Sequence, residues 1–212
     1  MDEEGLLVRM RVSYRLFFYA SLLLFFAGFA ISARAQNFLH NSEASVSAFG
    51  QFTSSVSGNG ISLNTTDSLG GQAAFRHSFH WWLGFEGSYS YTRFNEYYSA
   101  LPYSVQHNFH EFAGSYLVSG SNVLGFRPFA LAGLSGIIFS PSLNGGQNLP
   151  WQGETGLNFG VGAEHALMTS HFGIRIEYRG LYYKAPDFGD PALKTGSSRL
   201  TSEPLVGVYY RF

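Results

Sequence analysis

From Gln36 to the C-terminus, large apolar side chains alternate with small or polar ones in runs of about ten residues or more, the period of two that marks a strand with unlike faces. In 171–184, Phe172, Ile174, Ile176, Tyr178 and Tyr182 share one face and Arg175, Glu177 and Arg179 the other. Leu83, Phe85, Tyr89 and Tyr91 stand opposite Glu86, Ser88, Ser90 and Thr92, and Leu157, Phe159, Val161 and Ala163 stand opposite Asn158, Gly160, Gly162 and Glu164. Leu69, Ala73, Phe75 and Phe79 repeat the pattern against Gln72, Arg76 and Ser78. The pattern predicts eight strands, at 43–53, 69–79, 82–94, 107–118, 125–139, 152–166, 171–184 and 200–212. In 107–118, Glu111 assigns Phe112, Tyr116 and Val118 to the outer face. The run Phe126 to Phe139 is apolar on both faces, so periodicity does not fix its phase.

These strands are long. Soluble strands usually run five or six residues, whereas a tilted strand crossing a bilayer needs about nine to eleven. The connections at 54–68, 95–106, 140–151 and 185–199 are long and rich in Gly, Ser, Asn and Pro, and those near 80–81, 119–124 and 167–170 are short. Short turns at one end and long loops at the other is how outer-membrane barrels are built, and an even strand count puts both mature termini on the short-turn, periplasmic side. A soluble sandwich would have to bury the outward apolar band.

Composition narrows the field. The 212 residues are 13% charged and 17% aromatic, with 25 glycines and no cysteine. An average domain is about a quarter charged. A formal net charge of -1 lacks the footprint of a nucleic-acid binder. No cysteine means no disulfide framework, thiolate metal site or Cys nucleophile. A mean hydropathy of -0.00 is too low for several membrane helices. The apolar run Leu16 to Ile31, preceded by Arg9, Arg11 and Arg15 and followed by Ala33-Arg34-Ala35, reads as a secretory signal over 1–35, leaving 36–212 as one barrel domain. Asp2-Glu3-Glu4 is unusual before such a run, which makes Met10 a candidate start.

The chain ends Pro204-Leu205-Val206-Gly207-Val208-Tyr209-Tyr210-Arg211-Phe212, with Val206, Val208, Tyr210 and the terminal Phe212 on one face. This looks like the C-terminal strand by which the outer-membrane assembly machinery selects its clients. Gly156 to Glu164, Phe172 to Arg179, Lys184-Ala185-Pro186-Asp187-Phe188 and Thr201-Ser202-Glu203-Pro204 add to it. Together they resemble the OmpA-like family of small outer-membrane β-barrels. The resemblance implies an all-β, eight-stranded, antiparallel up-and-down transmembrane barrel in the outer membrane of a Gram-negative bacterium. The peptidoglycan-binding domain that many members carry after the barrel has no counterpart in this sequence.

An eight-stranded barrel is just wide enough inside for side chains to fill it. The inward faces carry Gln72, Arg76, Glu86, Glu111, Asn158, Glu164, Arg175, Glu177, Arg179 and Glu203. The charged members are expected to form a hydrogen-bonded network that plugs the lumen, because an unpaired buried charge costs several kcal/mol. The alternative is a gate for small solutes. Glycines 84, 87, 114, 133, 160, 162 and 173 are expected to relieve crowding, and Trp81, Trp82, Tyr182, Tyr183 and Tyr210 to form interfacial girdles.

Candidate chemistry is sparse. His77 and His80, and His107 and His110, have His-x-x-His spacing, but residues three apart on a strand face opposite ways, so no metal or other cofactor is expected. A lipid A-modifying barrel would need a serine, a histidine and a carboxylate facing the bilayer. Ser170-His171 and His77-Ser78 fall at short turns, and His107 lies nearer the outer leaflet without an obvious serine or acid. Loop residues Tyr97, Tyr98, Tyr103, Trp151 and Phe188 suit an adhesin or receptor surface. The reading is a monomeric, non-enzymatic barrel that maintains the envelope, with outer-membrane lipid, lipopolysaccharide and the assembly machinery as partners. A narrow porin-like channel and a lipid A-modifying enzyme are the alternatives.

Overall fold

The computed structural model describes residues 39–142, 149–167 and 171–212. The expected signal segment, Met10, Ser170 and residues 143–148 of the 140–151 connection lie outside the described residues. The described residues of the unit Asn41–Phe212 form ten strands: β1 (Ser42–Thr53), β2 (Val56–Gly58), β3 (Ile61–Thr65), β4 (Ser68–Ser78), β5 (Leu83–Tyr98), β6 (Ser104–Ser119), β7 (Phe126–Pro141), β8 (Gln152–Ala166), β9 (Phe172–Lys184) and β10 (Ser198–Arg211). Eight of them, β1 and β4 to β10, form a ring in which each pairs antiparallel with the next and β10 pairs back onto β1. Closure leaves none of these eight wall strands with an unpaired edge, the condition for crossing a bilayer with strands.

All eight expected strands are present, with ends shifted by a few residues. The largest shifts are at the long-loop end, where β5 runs to Tyr98 and β6 starts at Ser104, so the connection expected at 95–106 shrinks to 99–103. A second correction concerns 54–68, which is not a long irregular loop. It folds into the hairpin β2–β3, with Asn59 and Gly60 at φ 52 and 78, the two left-handed residues that a tight two-residue turn demands. Leu63 to Thr65 pair with Tyr98 to Glu96, so the hairpin lengthens the barrel wall above β5. Ser197 Oγ donates to Ser57 O at 2.9 Å and Asn59 Nδ2 to Lys194 O at 3.0 Å, tying the hairpin to the β9–β10 connection.

The structure also fixes the phase of β7. Phe129, Leu131, Ser135, Ile137 and Phe139 point inward, while Phe126 and Leu134 are exposed on the outer face. Both faces are apolar because the lumen is not polar along its whole length. Its long-loop end holds the largest buried apolar cluster among the described residues, with Phe94, Phe109, Phe139, Leu181 and Tyr183 from the barrel wall. Leu63 from the hairpin and Phe188 and Leu193 from the β9–β10 connection close this cluster from above.

Inward glycines let neighbouring strands approach. A Cβ at Gly133 would collide with the carbonyl oxygen of Gly114 and lie 2.5 Å from Ser115 Cα. Gly87 is a correction: a Cβ there meets nothing within 4 Å, so it relieves no crowding.

Candidate functional site

Alternation carries each charged lumen residue to the inner face, and antiparallel register then decides which of them meet. All eight expected residues, Arg76, Glu86, Glu111, Glu164, Arg175, Glu177, Arg179 and Glu203, are buried. Six of them form one ion-paired cluster in the half nearer the short turns. Arg76, on β4, sits among Glu86 on β5, Glu164 on β8 and Glu177 on β9: its Nε bonds Glu86 Oε2, and its Nη atoms lie 2.5 Å from Glu164 Oε1 and 3.2 Å from Glu177 Oε2. Arg179 Nη2 bonds Glu86 Oε1 at 2.6 Å and its Nε bonds Glu177 Oε1 at 2.9 Å. Arg175 bonds Glu164 through Nε at 3.1 Å and Nη2 at 2.7 Å. The Arg76 guanidinium also lies 4.2 Å from the centroid of the Phe129 ring on β7, a cation–π contact.

Two members that alternation alone did not single out complete the cluster. Glu43 bonds Arg175 and lies 3.1 Å from Arg211 Nη2. Four arginines, Arg76, Arg175, Arg179 and Arg211, thus face four carboxylates, Glu43, Glu86, Glu164 and Glu177. Such a balanced, multiply bonded set is the arrangement in which mutual attraction can offset the desolvation of buried charges.

Glu111 and Glu203 stand apart from it, which corrects the expectation of a single network. Glu111 Oε1 accepts a 2.6 Å bond from Ser135 Oγ, and Asn158 links Ser115 and Ser135 at 2.6 and 2.8 Å. Among the described residues, neither carboxylate oxygen of Glu203 has a hydrogen-bond partner.

A third polar group, absent from the sequence reading, is embedded in the apolar cluster at the long-loop end. Glu96 and Arg199 form an ion pair, both fully buried, and Tyr98 donates to Glu96 Oε2 and to Pro186 O at 3.0 Å each. Arg199 lies 4.9 Å from the Tyr183 ring centroid. Glu96 and Arg199 fall just beyond the strand limits 82–94 and 200–212 that periodicity predicts, where alternation assigns no face. The same extension corrects two surface expectations. Tyr98 and Phe188 are buried in the cluster instead of being displayed on loops, and Tyr183 is inward and buried instead of belonging to an interfacial girdle.

The histidines separate as strand geometry requires. His107 is buried inward, with its ring 4.4 Å from Phe94 and 5.3 Å from Phe139. His110 faces outward, where the Tyr89 hydroxyl and His110 Nδ1 are 2.9 Å apart. His77 Nδ1 lies 2.9 Å from Ser42 Oγ at the short-turn end. Among the described residues, no three His, Cys, Asp or Glu side chains converge as a metal site.

On β10, Val206, Val208, Tyr210 and Phe212 lie on the outer face and are exposed. Tyr210 packs edge-on against Phe172 and Phe212 at 5.0 and 5.3 Å. The same apolar band continues round the wall through Val46, Leu69, Phe112, Tyr116, Leu157, Val161 and Ile176.

A closed eight-strand barrel with an apolar exterior and an interior filled by its own side chains defines an integral outer-membrane barrel. The chain belongs to the outer membrane protein beta-barrel domain family, which it matches over residues 21–212. Its fold is similar to that of Neisserial surface protein A, with 19% identity over 81% of this chain and 97% of that chain at a TM-score of 0.58. It is likewise similar to OprG from Pseudomonas aeruginosa, with 14% identity over 81% and 96% of the two chains at a TM-score of 0.56. No curated protein sequence matches the chain.

Proposed function

We propose that the protein is a non-conducting, non-enzymatic barrel that stabilises the outer membrane and presents its long-loop end at the cell surface. The observation that carries this reading is the doubly sealed lumen: a balanced ion-pair cluster fills one half and the apolar cluster around Phe139 and Phe188 the other. A solute pathway would need both seals to open, and removing any one arginine would leave buried carboxylates uncompensated.

In this reading residues 1–35 are a cleaved export signal. Both mature termini and the three short turns face the periplasm, and the β2–β3 hairpin with the β9–β10 connection faces outward. Val206, Val208, Tyr210 and Phe212 serve as the recognition strand for the assembly machinery. Ring closure within one chain supports a monomer, with outer-membrane lipid around it and no nucleic-acid partner. Planar-bilayer recording of the refolded barrel tests the sealed lumen. We expect no discrete conductance steps; reproducible single-channel steps from the wild type would replace this reading with the narrow-channel one.

A further inference from the structure

On the outer wall, β6, β7 and β8 enclose a groove of about 410 Å³ lined by Phe112, Gly136, Ile138, Gly153 and Thr155. Its floor is glycine without an internal reason. A Cβ on Gly136 would touch nothing within 4 Å, and one on Gly153 would reach only Ile137 O at 3.9 Å. The inward glycines, by contrast, are held by close contacts such as that between Gly133 and Gly114. A glycine inside a strand weakens it, so two that nothing in the barrel requires leave a depression open to the outside. Glu154 lies between Gly153 and Thr155, and alternation turns it to the inner side, where it accepts from Gln152 Nε2 at 2.7 Å.

The groove has a polar rim on the side of the long loops. Register places Arg93 opposite Asn108, Tyr91 opposite His110 and Tyr89 opposite Phe112, so the outer face passes from cationic to aromatic towards the short turns. The pairs are joined: Tyr91 donates to Asn108 Oδ1 at 3.1 Å, and the Tyr89 hydroxyl meets His110 Nδ1. Next along the sheet, His110 is paired with Ile138 and Asn108 with Ser140, which brings the rim directly to the groove. Exposed Trp151 immediately precedes β8.

Depth is consistent with this arrangement. A strand tilted about 40° gains roughly 2.5 Å of height per residue, so Asn108 stands about 25 Å above the lipid-facing Val118. That is the far edge of an apolar band about 25 Å tall. The groove therefore opens where acyl chains begin, and the cationic and amide groups lie at headgroup level. Among the described residues of these strands, Glu86, Glu96, Glu111 and Glu164 are buried inward, and Glu154, which borders the groove, is held on the inner side by Gln152, which leaves Arg93 as the cation of the rim.

We infer that this face is a lipid site for a phosphorylated glycolipid, with one acyl chain in the Gly136–Gly153 groove and the phosphosaccharide headgroup on Arg93, Asn108 and His110. A glycolipid is chosen over a glycerophospholipid because the rim extends from β5 to the groove on β7 and β8, a width suited to a disaccharide. The assignment rests on the orientation proposed above, in which the long-loop end lies in the outer leaflet.

The test uses the full barrel refolded with lipid A, or with phosphatidylethanolamine alone, and then delipidated and weighed by native mass spectrometry. The wild type retains one lipid A, whereas Gly136→Leu/Gly153→Leu and Arg93→Ala/His110→Ala each lower its retention about tenfold, the loss expected for roughly two methylenes of contact in the groove or for one charge-assisted hydrogen bond at the rim. The leucines enter open space, so the filled-groove variant folds, which heat-modifiable gel mobility verifies. Equal retention by wild type and both variants overturns the site, and preferential retention of phosphatidylethanolamine overturns the glycolipid. Orientation is read separately: Ala100→Cys, the sole cysteine, reacts with an impermeant maleimide on whole cells. Labelled cells without lipid A retention refute the site alone; unlabelled cells refute the orientation beneath it.

Discussion

At the scale of single residues, the lumen shows why inward charges must be considered as a set. Arg179 holds Glu86 and Glu177 together at 2.6 and 2.8 Å, so its loss leaves two buried carboxylates short of a cation. Arg179→Ala is expected to destabilise the barrel by about 3–5 kcal/mol, the usual cost of breaking a buried pair from one side. Urea titration followed by the folded-to-unfolded gel band ratio measures this, and an unchanged midpoint would contradict the network. Gly133 is the steric counterpart. Gly133→Ala forces a methyl against the Gly114 carbonyl on the neighbouring strand, and a lowered midpoint in the same titration is expected, typically about 1–3 kcal/mol for overpacking. The inward direction of Arg76, Glu86 and Arg179 was legible from period two alone. Their pairing was not, because alternation says which face a residue takes and nothing of the height at which it meets a side chain on another strand.

Among the elements, the eight wall strands were readable because each must satisfy lipid on one side and a filled lumen on the other. The β2–β3 hairpin was also written in the chain, as Asn59-Gly60 between Val56-Ser57-Gly58 and Ile61-Ser62-Leu63, but its short strands fall below the length at which alternation is convincing. The β9–β10 connection was legible only as a loop. Its role as a seal depends on Phe188, which is 2% exposed and lies at φ 50 beside Gly189 at φ 73, turning the ring down onto His107 and Phe139. The Phe188 and Asp187 amides both donate to Gln152 Oε1, anchoring the turn to β8. Phe188→Ala is expected to loosen this connection without opening the ring, since every wall pairing is retained. Limited trypsin digestion should then cleave after Lys194 several times faster than in the wild type, with the barrel core still protected; equal rates would mean that the connection is held by the hairpin bonds alone.

For the whole molecule, closure is the governing fact. The pairing of β10 with β1, from Glu43 with Arg211 to Thr53 with Thr201, joins the two ends of the chain and satisfies every wall strand on both sides. A barrel closed in this way should resist detergent, so the unboiled protein is expected to migrate apart from the boiled form on a cold denaturing gel. A single mobility would be incompatible with the closed ring. The sequence by itself determined the eight wall strands, the outward apolar band and the set of charges sent inside. Each of these is a local consequence of period-two geometry in a chain with lipid outside. Only the tertiary structure decided that the interior is divided into a charged half and an apolar half. It also decided that Glu111 and Glu203 stand outside the ion-paired cluster, and that Glu96, Arg199 and Phe188 belong to the interior. Those outcomes depend on shear between strands and on loop closure, which bring together residues far apart in the chain.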